Sequence, residues 1–322
     1  MHLPTGPRLS SAARRRAHRA ILAVTCAAVV GACSNPGPSA ADATPDGLIA
    51  LVATSGKTSL LGWGSGRAPV PIDLPDGDTT WVATGRADVL AAVLADGKTA
   101  TSDPVHLGKP LKWRTVKAVG PTGNPVKGPD YFATWDQEGG RFATLAGDLP
   151  SGEGVRVVLI DPSVGTAFEI PIDRPVVAAP PAWLDDDRLL VVTGDAGAPI
   201  ATIVDTTTGD LSDGPAGARM LATSANGRRI ATMAEAGAPV VIRDTSGWLK
   251  GDGSSIATIA PPNGSSTAIA FSLDATGQRL VVAWQAKDGT VSLAVHDGRS
   301  DWRRVAQPAI GAAKGAVVAW RR

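Results

Sequence analysis

One feature constrains this chain more than any other. A turn followed by an apolar run recurs at a spacing of about 40 to 50 residues. The clearest copies are ATWDQEGGRFATLAG (Ala133 to Gly147), PAWLDDDRLLVVTG (Pro181 to Gly194), LATSANGRRIATMAE (Leu221 to Glu235) and IAFSLDATGQRLVVAW (Ile269 to Trp284). Weaker ones are TWVATGRADVLAAVL (Thr80 to Leu94) and PDGLIALVAT (Pro45 to Thr54), with a truncated GAAKGAVVAWRR at the end. The apolar runs begin near Leu48, Val89, Arg141, Arg188, Arg229, Arg279 and Ala316, so successive steps lie between 37 and 52 residues. Within a unit the chain reads strand, turn, strand, turn. In Val176 to Gly209, a short strand ends at Trp183, Leu189 to Val192 and Ile200 to Val204 follow, and Asp-, Gly- and Pro-containing turns separate them. Helical repeats of this length need ten or more residues of 3.6 periodicity, and none occur after the leader. Four short strands per unit at this period describe a β-propeller blade. The expected fold is therefore all-β: a propeller of four-stranded antiparallel sheets, with six blades, or seven if Ala316 to Trp320 opens another. Pro308 to Arg322 is expected to return to the first blade as its closing strand, because an open ring would leave two bare strand edges.

The repeat also resembles a known family. An aromatic residue, a short turn with Asp and Gly, Arg and then an apolar run is similar to the repeat of TolB-like (WD40-like) six-bladed propellers, whose blades carry a WSPDG-type turn. Trp135, Trp183 and Phe271 stand at the aromatic place, and Asn226-Gly227 and Thr276-Gly277 at the turn. No copy reads WSPDG outright, and Trp183 is followed by three Asp with no Gly. The resemblance covers roughly Gly47 to Arg322. It implies the fold and leaves activity open, since propellers host binding modules, scaffolds and enzymes.

Residues 1 to 32 read as an export leader. Arg8, Arg14, Arg15, Arg16 and Arg19 form a basic region without acidic residues, and Ala20 to Ala32 is an apolar stretch too short to span a bilayer. Val30-Gly31-Ala32-Cys33 resembles the bacterial lipobox, which makes Cys33 the expected lipid acceptor; Cys26 lies mid-stretch behind the poorer match Ala23-Val24-Thr25. Arg14-Arg15-Arg16 raises twin-arginine export, but Ala17-His18-Arg19 lacks the apolar residues that normally follow such a pair. Ser34 to Pro45 is a small-residue, Pro-containing tether. The expected organisation is thus a leader over 1–32, a tether from the lipidated Cys over 33–45 and the propeller over 46–322. The Ala-, Gly- and Arg-rich composition points to a high-GC Gram-positive bacterium, and the leader to the extracytoplasmic face of the cell membrane.

Charge narrows the partners. The chain carries 31 basic and 30 acidic residues, +1 net, and losing the five leader arginines leaves −4. A surface so nearly neutral is not that of a nucleic-acid binder. Both cysteines belong to the leader or its end, so the mature chain forms no internal disulfide. Membrane contact is expected through the lipid on Cys33 alone.

Candidate chemistry is sparse. His106 and His296 are the two histidines beyond the leader, and with no Cys between them a zinc site is not expected. No G-x-S-x-G elbow is present. Ser55-Gly56-Lys57-Thr58 imitates the end of a phosphate-binding loop but lacks the earlier Gly and the helix, and reads as a hairpin turn. Asp185-Asp186-Asp187 lacks the Gly bend of a calcium loop and reads as a solvated turn. Nine Trp stand against one Tyr and four Phe. Trp81, Trp135 and Trp183 are expected at equivalent places, packing between blades. Trp63, Trp113, Trp248 and Trp302 fall elsewhere, some of them exposed at the faces. The function expected is a non-enzymatic module that binds a protein or envelope polymer, with no catalytic residue, cofactor or metal. The alternative is a propeller-type enzyme (hydrolase, lyase or quinone-dependent dehydrogenase) with ionisable residues at the channel mouth.

Overall fold

The computed structural model describes residues 45–55, 57–65, 68–117, 119–120, 130–195, 197–262 and 266–321. The leader, the tether to residue 44, Cys26 and Cys33 lie outside the described residues, as does the Gly120–Asp130 insert except for its two ends.

Among the described residues, twenty-four strands form six antiparallel sheets of four. Blade one takes β1 (Leu48–Thr54), β2 (Lys57–Gly62) and β3 (Val70–Ile72), and blade two β4 (Thr79–Thr84), β5 (Leu90–Leu94), β6 (Thr99–Ser102) and β7 (Trp113–Thr115). Blade three is β8 (Asp130–Trp135), β9 (Phe142–Asp148), β10 (Glu153–Asp161) and β11 (Thr166–Pro171). Blade four is β12 (Ala182–Trp183), β13 (Arg188–Thr193), β14 (Ile200–Asp205) and β15 (Leu211–Ala216). Blade five is β16 (Met220–Thr223), β17 (Arg229–Met233), β18 (Val240–Asp244) and β19 (Ala257–Ile259). Blade six is β20 (Thr267–Leu273), β21 (Arg279–Gln285), β22 (Val291–Asp297) and β23 (Arg303–Ala306).

The last strand, β24 (Gly315–Trp320), pairs antiparallel with β1, Leu48 opposite Trp320 and Ala53 opposite Gly315. It supplies the innermost strand of blade one, so the two ends of the described chain share a sheet. The ring closes at six blades, and Ala316 to Trp320 starts no seventh.

The core explains the sequence pattern. Buried apolar residues form six clusters, each lying between two adjacent blades. Leu48, Ala50 and Val52 face blade six, while Ile49 and Leu51 of the same strand face blade two. Leu90 and Ala92 likewise face blade one, and Ala91 and Val93 blade three. A second strand sandwiched on both faces needs an unbroken apolar run, and period-2 alternation has no solvent side to report.

Register also corrects the aromatic places. Trp320, Thr84, Trp135, Trp183, Thr223 and Leu273 stand opposite Leu48, Leu90, Phe142, Leu189, Ile230 and Leu280. Trp135 and Trp183 are therefore equivalent, with Trp320 as the third member. Trp81 is not, because Thr84 ends its strand; nor is Phe271, because Leu273 holds that place. Trp63 and Trp248 are core residues at 0% and 6% exposure. Trp248 is carried on the five-residue helix α1 (Thr245–Leu249), whose first amides Ser246 and Gly247 donate to the Asp244 carboxylate.

Candidate functional site

The six inner strands surround a central channel. An inner strand has one hydrogen-bonding edge in its sheet and one facing the channel, so half of its backbone groups must find partners elsewhere. Side chains from the neighbouring blade meet several of them. Trp183 Nε1 donates to Thr134 O at 2.9 Å, and Thr223 Oγ1 donates to Trp183 O at 2.6 Å. Trp320 Nε1 donates to Ser272 O at 3.0 Å, and the Thr84 hydroxyl donates to Trp320 O. Trp81 Nε1 reaches Ala133 O at 2.9 Å. Each bond runs from one blade to the next, belting the ring around the channel.

The turns after the inner strands fix one end of this belt. The Asp136 carboxylate accepts from Gly140 N at 2.9 Å, and that of Asp274 from Gln278 N and Arg279 N at 2.8 and 2.9 Å. In blade five the Ser224 hydroxyl takes that part, accepting from Arg229 N at 3.0 Å. The following arginines lie over the next blade's tryptophan: Arg141 is 5.3 Å from the Trp183 ring centre and Arg279 is 4.4 Å from that of Trp320. Turn also holds turn, with Gln137 Nε2 donating to Leu184 O at 2.8 Å and Asn226 Nδ2 to Thr276 O at 3.2 Å. Gly227 has φ +67°, and a side chain there would meet Leu184 O at 2.5 Å. Both backbone and space therefore demand glycine. At the seam, Arg321 pairs with Asp88 and Arg279 donates to Asp46 O.

The channel encloses about 210 Å³. Its lining residues are all uncharged; the polar ones are Thr84, Thr134, Gln137, Thr223, Ser224 and Ser272. Trp81, Phe132, Met220 and Ile269 are half-buried in that lining. The Trp81 and Phe132 rings meet edge to face, centres 4.8 Å apart at 80°. Phe132 lies where the β8 register shifts, between Tyr131 and Thr134, and has φ +53°. A bulge of this kind re-aims side chains.

The sequence-derived candidates do not converge. His106 is exposed on blade two; His296 is half-buried on blade six, its Nδ1 3.2 Å from Trp302 O. Burial pushes the His296 imidazolium below its usual range, and Arg304 adds to this. Lys57 opens β2 opposite Thr54, and Gly56 of the Ser55–Thr58 segment lies outside the described residues. In the Asp185–Asp187 turn, Asp187 N donates to the Asp185 carboxylate at 3.1 Å, and that carboxylate also takes Arg188 Nε at 2.8 Å. Burial raises the Asp186 pKa, and the carboxylates of Glu138, Asp136, Asp187 and Asp185 raise it further. Among the described residues, no group of three or more His, Cys, Asp or Glu is placed to hold a metal ion. No described helix is long and apolar enough to cross a membrane.

One titrating group was not legible in the sequence. Asp130 opens β8 of blade three, and burial pushes its pKa up to about 6. Thr144 and Arg156 offset part of that, and Glu169 opposes them.

The architecture has counterparts among solved structures. TolB from Acinetobacter baumannii is similar with a TM-score of 0.61 and 13% identity, over 85% of this chain and 66% of that one. This chain thus spans just under two thirds of that protein. A protein from Lactobacillus plantarum matches with a TM-score of 0.49 and 15% identity, over 81% of this chain and 82% of that one. The β-propeller domain of Cps50 (Swd1) from Myceliophteria thermophila matches at 0.46 and 17%, over 69% and 66%. For TolB, identity this low speaks for shared fold alone. No protein-family model and no curated protein matches the sequence.

Proposed function

We propose that this chain is a membrane-anchored, extracytoplasmic propeller, held by a lipid on Cys33, that acts as a non-enzymatic module binding a protein or an envelope polymer at its central channel. The observation that carries the reading is the channel itself. It combines strand-edge backbone groups, half-buried aromatic side chains and a lining of uncharged residues. Such a surface offers shape, apolar contact and hydrogen bonds, which are what recognition uses. General acid–base chemistry instead needs titratable groups converging on the reacting atoms. The leader supports the address, because Val30-Gly31-Ala32-Cys33 places a thiol directly after two small residues.

Two measurements test this. A fatty-acid probe fed to cells should label the wild type and not Cys33→Ser; equal labelling removes the anchor. Tagged protein should retain an envelope component that Trp81→Ala, still folded, releases. Retention unchanged in that variant places binding elsewhere.

A further inference from the structure

We infer that the central channel accepts a compact, uncharged aromatic group of about two fused rings. The inference rests on the channel being a binding site, as proposed above, and names the group of the bound partner that enters it.

Size comes first. An apolar cavity of about 150 Å³ takes up benzene. The channel's 210 Å³ leaves room for a second ring. Charge comes next. Among the described residues the lining carries no ionisable side chain, so an ion entering the channel would lose hydration and gain no counter-charge from them. A neutral ligand meets no such penalty.

The walls specify the rest. Trp81 and Phe132 come from different blades and meet edge to face within the lining. That arrangement leaves ring surface for an aromatic guest. Phe132 holds this position at φ +53°, a backbone state that bulky residues rarely adopt. Strain of this sort collects at ligand sites.

Coumarin, a neutral fused-ring lactone, is the probe, and coumarin-3-carboxylate is its anionic analogue at pH 7. Calorimetric titration of the purified full-length protein should show one coumarin bound per chain, with the anion at least tenfold weaker. Phe132→Gly should weaken coumarin at least tenfold and still fold, because glycine adopts the positive φ without strain. Met220→Trp, which adds bulk at a half-buried lining position, should also weaken it tenfold or more. No coumarin binding, equal binding of the anion, or wild-type affinity in either folded variant overturns the inference. The two readings fail separately. Envelope retention without coumarin binding overturns the ligand class alone. Coumarin binding without envelope retention supports the ligand class and removes the binding-module reading.

Discussion

Replacing Trp183 by alanine tests the blade packing most directly. Trp183 is 2% exposed and lies in the cluster between blades three and four, with Leu145, Val157, Leu159 and Ile170. Truncating a buried tryptophan costs about 3–5 kcal/mol, through lost transfer energy and the cavity left behind. The indole also donates to Thr134 O at 2.9 Å. Losing that bond adds about 0.5–1.5 kcal/mol. The guanidinium of Arg141 over the ring adds a smaller share. The losses share one site and do not simply add, so a total of about 4–6 kcal/mol is expected. Typical stabilities are roughly 5–15 kcal/mol, so the variant should lose much of its fold or its expression. Trp183→Phe separates the causes: it keeps most of the packing, loses the N–H bond and should cost about 1–2 kcal/mol. The assay is urea unfolding of the mature domain, followed by far-UV circular dichroism. A midpoint for Trp183→Ala equal to wild type would refute the argument, and the indole would then have to be a surface group.

Gly85 presses on the neighbouring tryptophan, since a Cβ there would meet Trp135 ring atoms at 2.7 to 3.0 Å. Its φ of −99° is open to any residue, so the constraint is space alone. Gly85→Ala should cost about 1–3 kcal/mol in chemical unfolding. Wild-type stability would show that the ring can move aside. The pKa of Asp130 is raised from 3.8 to about 6 by burial. Its contribution is therefore fully present below pH ~4 and lost as pH rises through about 6, where the folded state must hold a buried carboxylate. Asp130→Asn should be neutral at pH 4 and stabilising by up to ~3 kcal/mol at pH 8; a stability difference independent of pH would contradict this.

Much of the architecture was written locally. The apolar runs Leu90–Leu94 and Leu189–Val192 are continuous because each is covered by a blade on both sides. Their recurrence every 40 to 50 residues, broken by Gly-, Pro- and Asp-containing turns, sets the blade length. The role of β24 was also legible, since a ring with a free edge is a liability. The turn acids and arginines, Asp136 with Arg141 and Asp274 with Arg279, could be read as a repeating unit because each pair is close in the chain.

Tertiary structure alone decided the rest. Trp81 resembles Trp135 in its local setting, yet its strand runs on to Thr84, and only pairing with β5 shows this. Trp63 and Trp248 carry no apolar periodicity around them and are buried by contacts distant in sequence. The channel is the extreme case. Its lining comes from six strands spread over the whole propeller, largely as strand edges whose backbone is alike for every residue. Burial pushes the Asp130 pKa up to about 6, in a setting that only the pairing of β8 with β9 creates. A repeat encodes what one blade does with its neighbours, whereas a channel at the ring's centre exists only when six blades have closed around it.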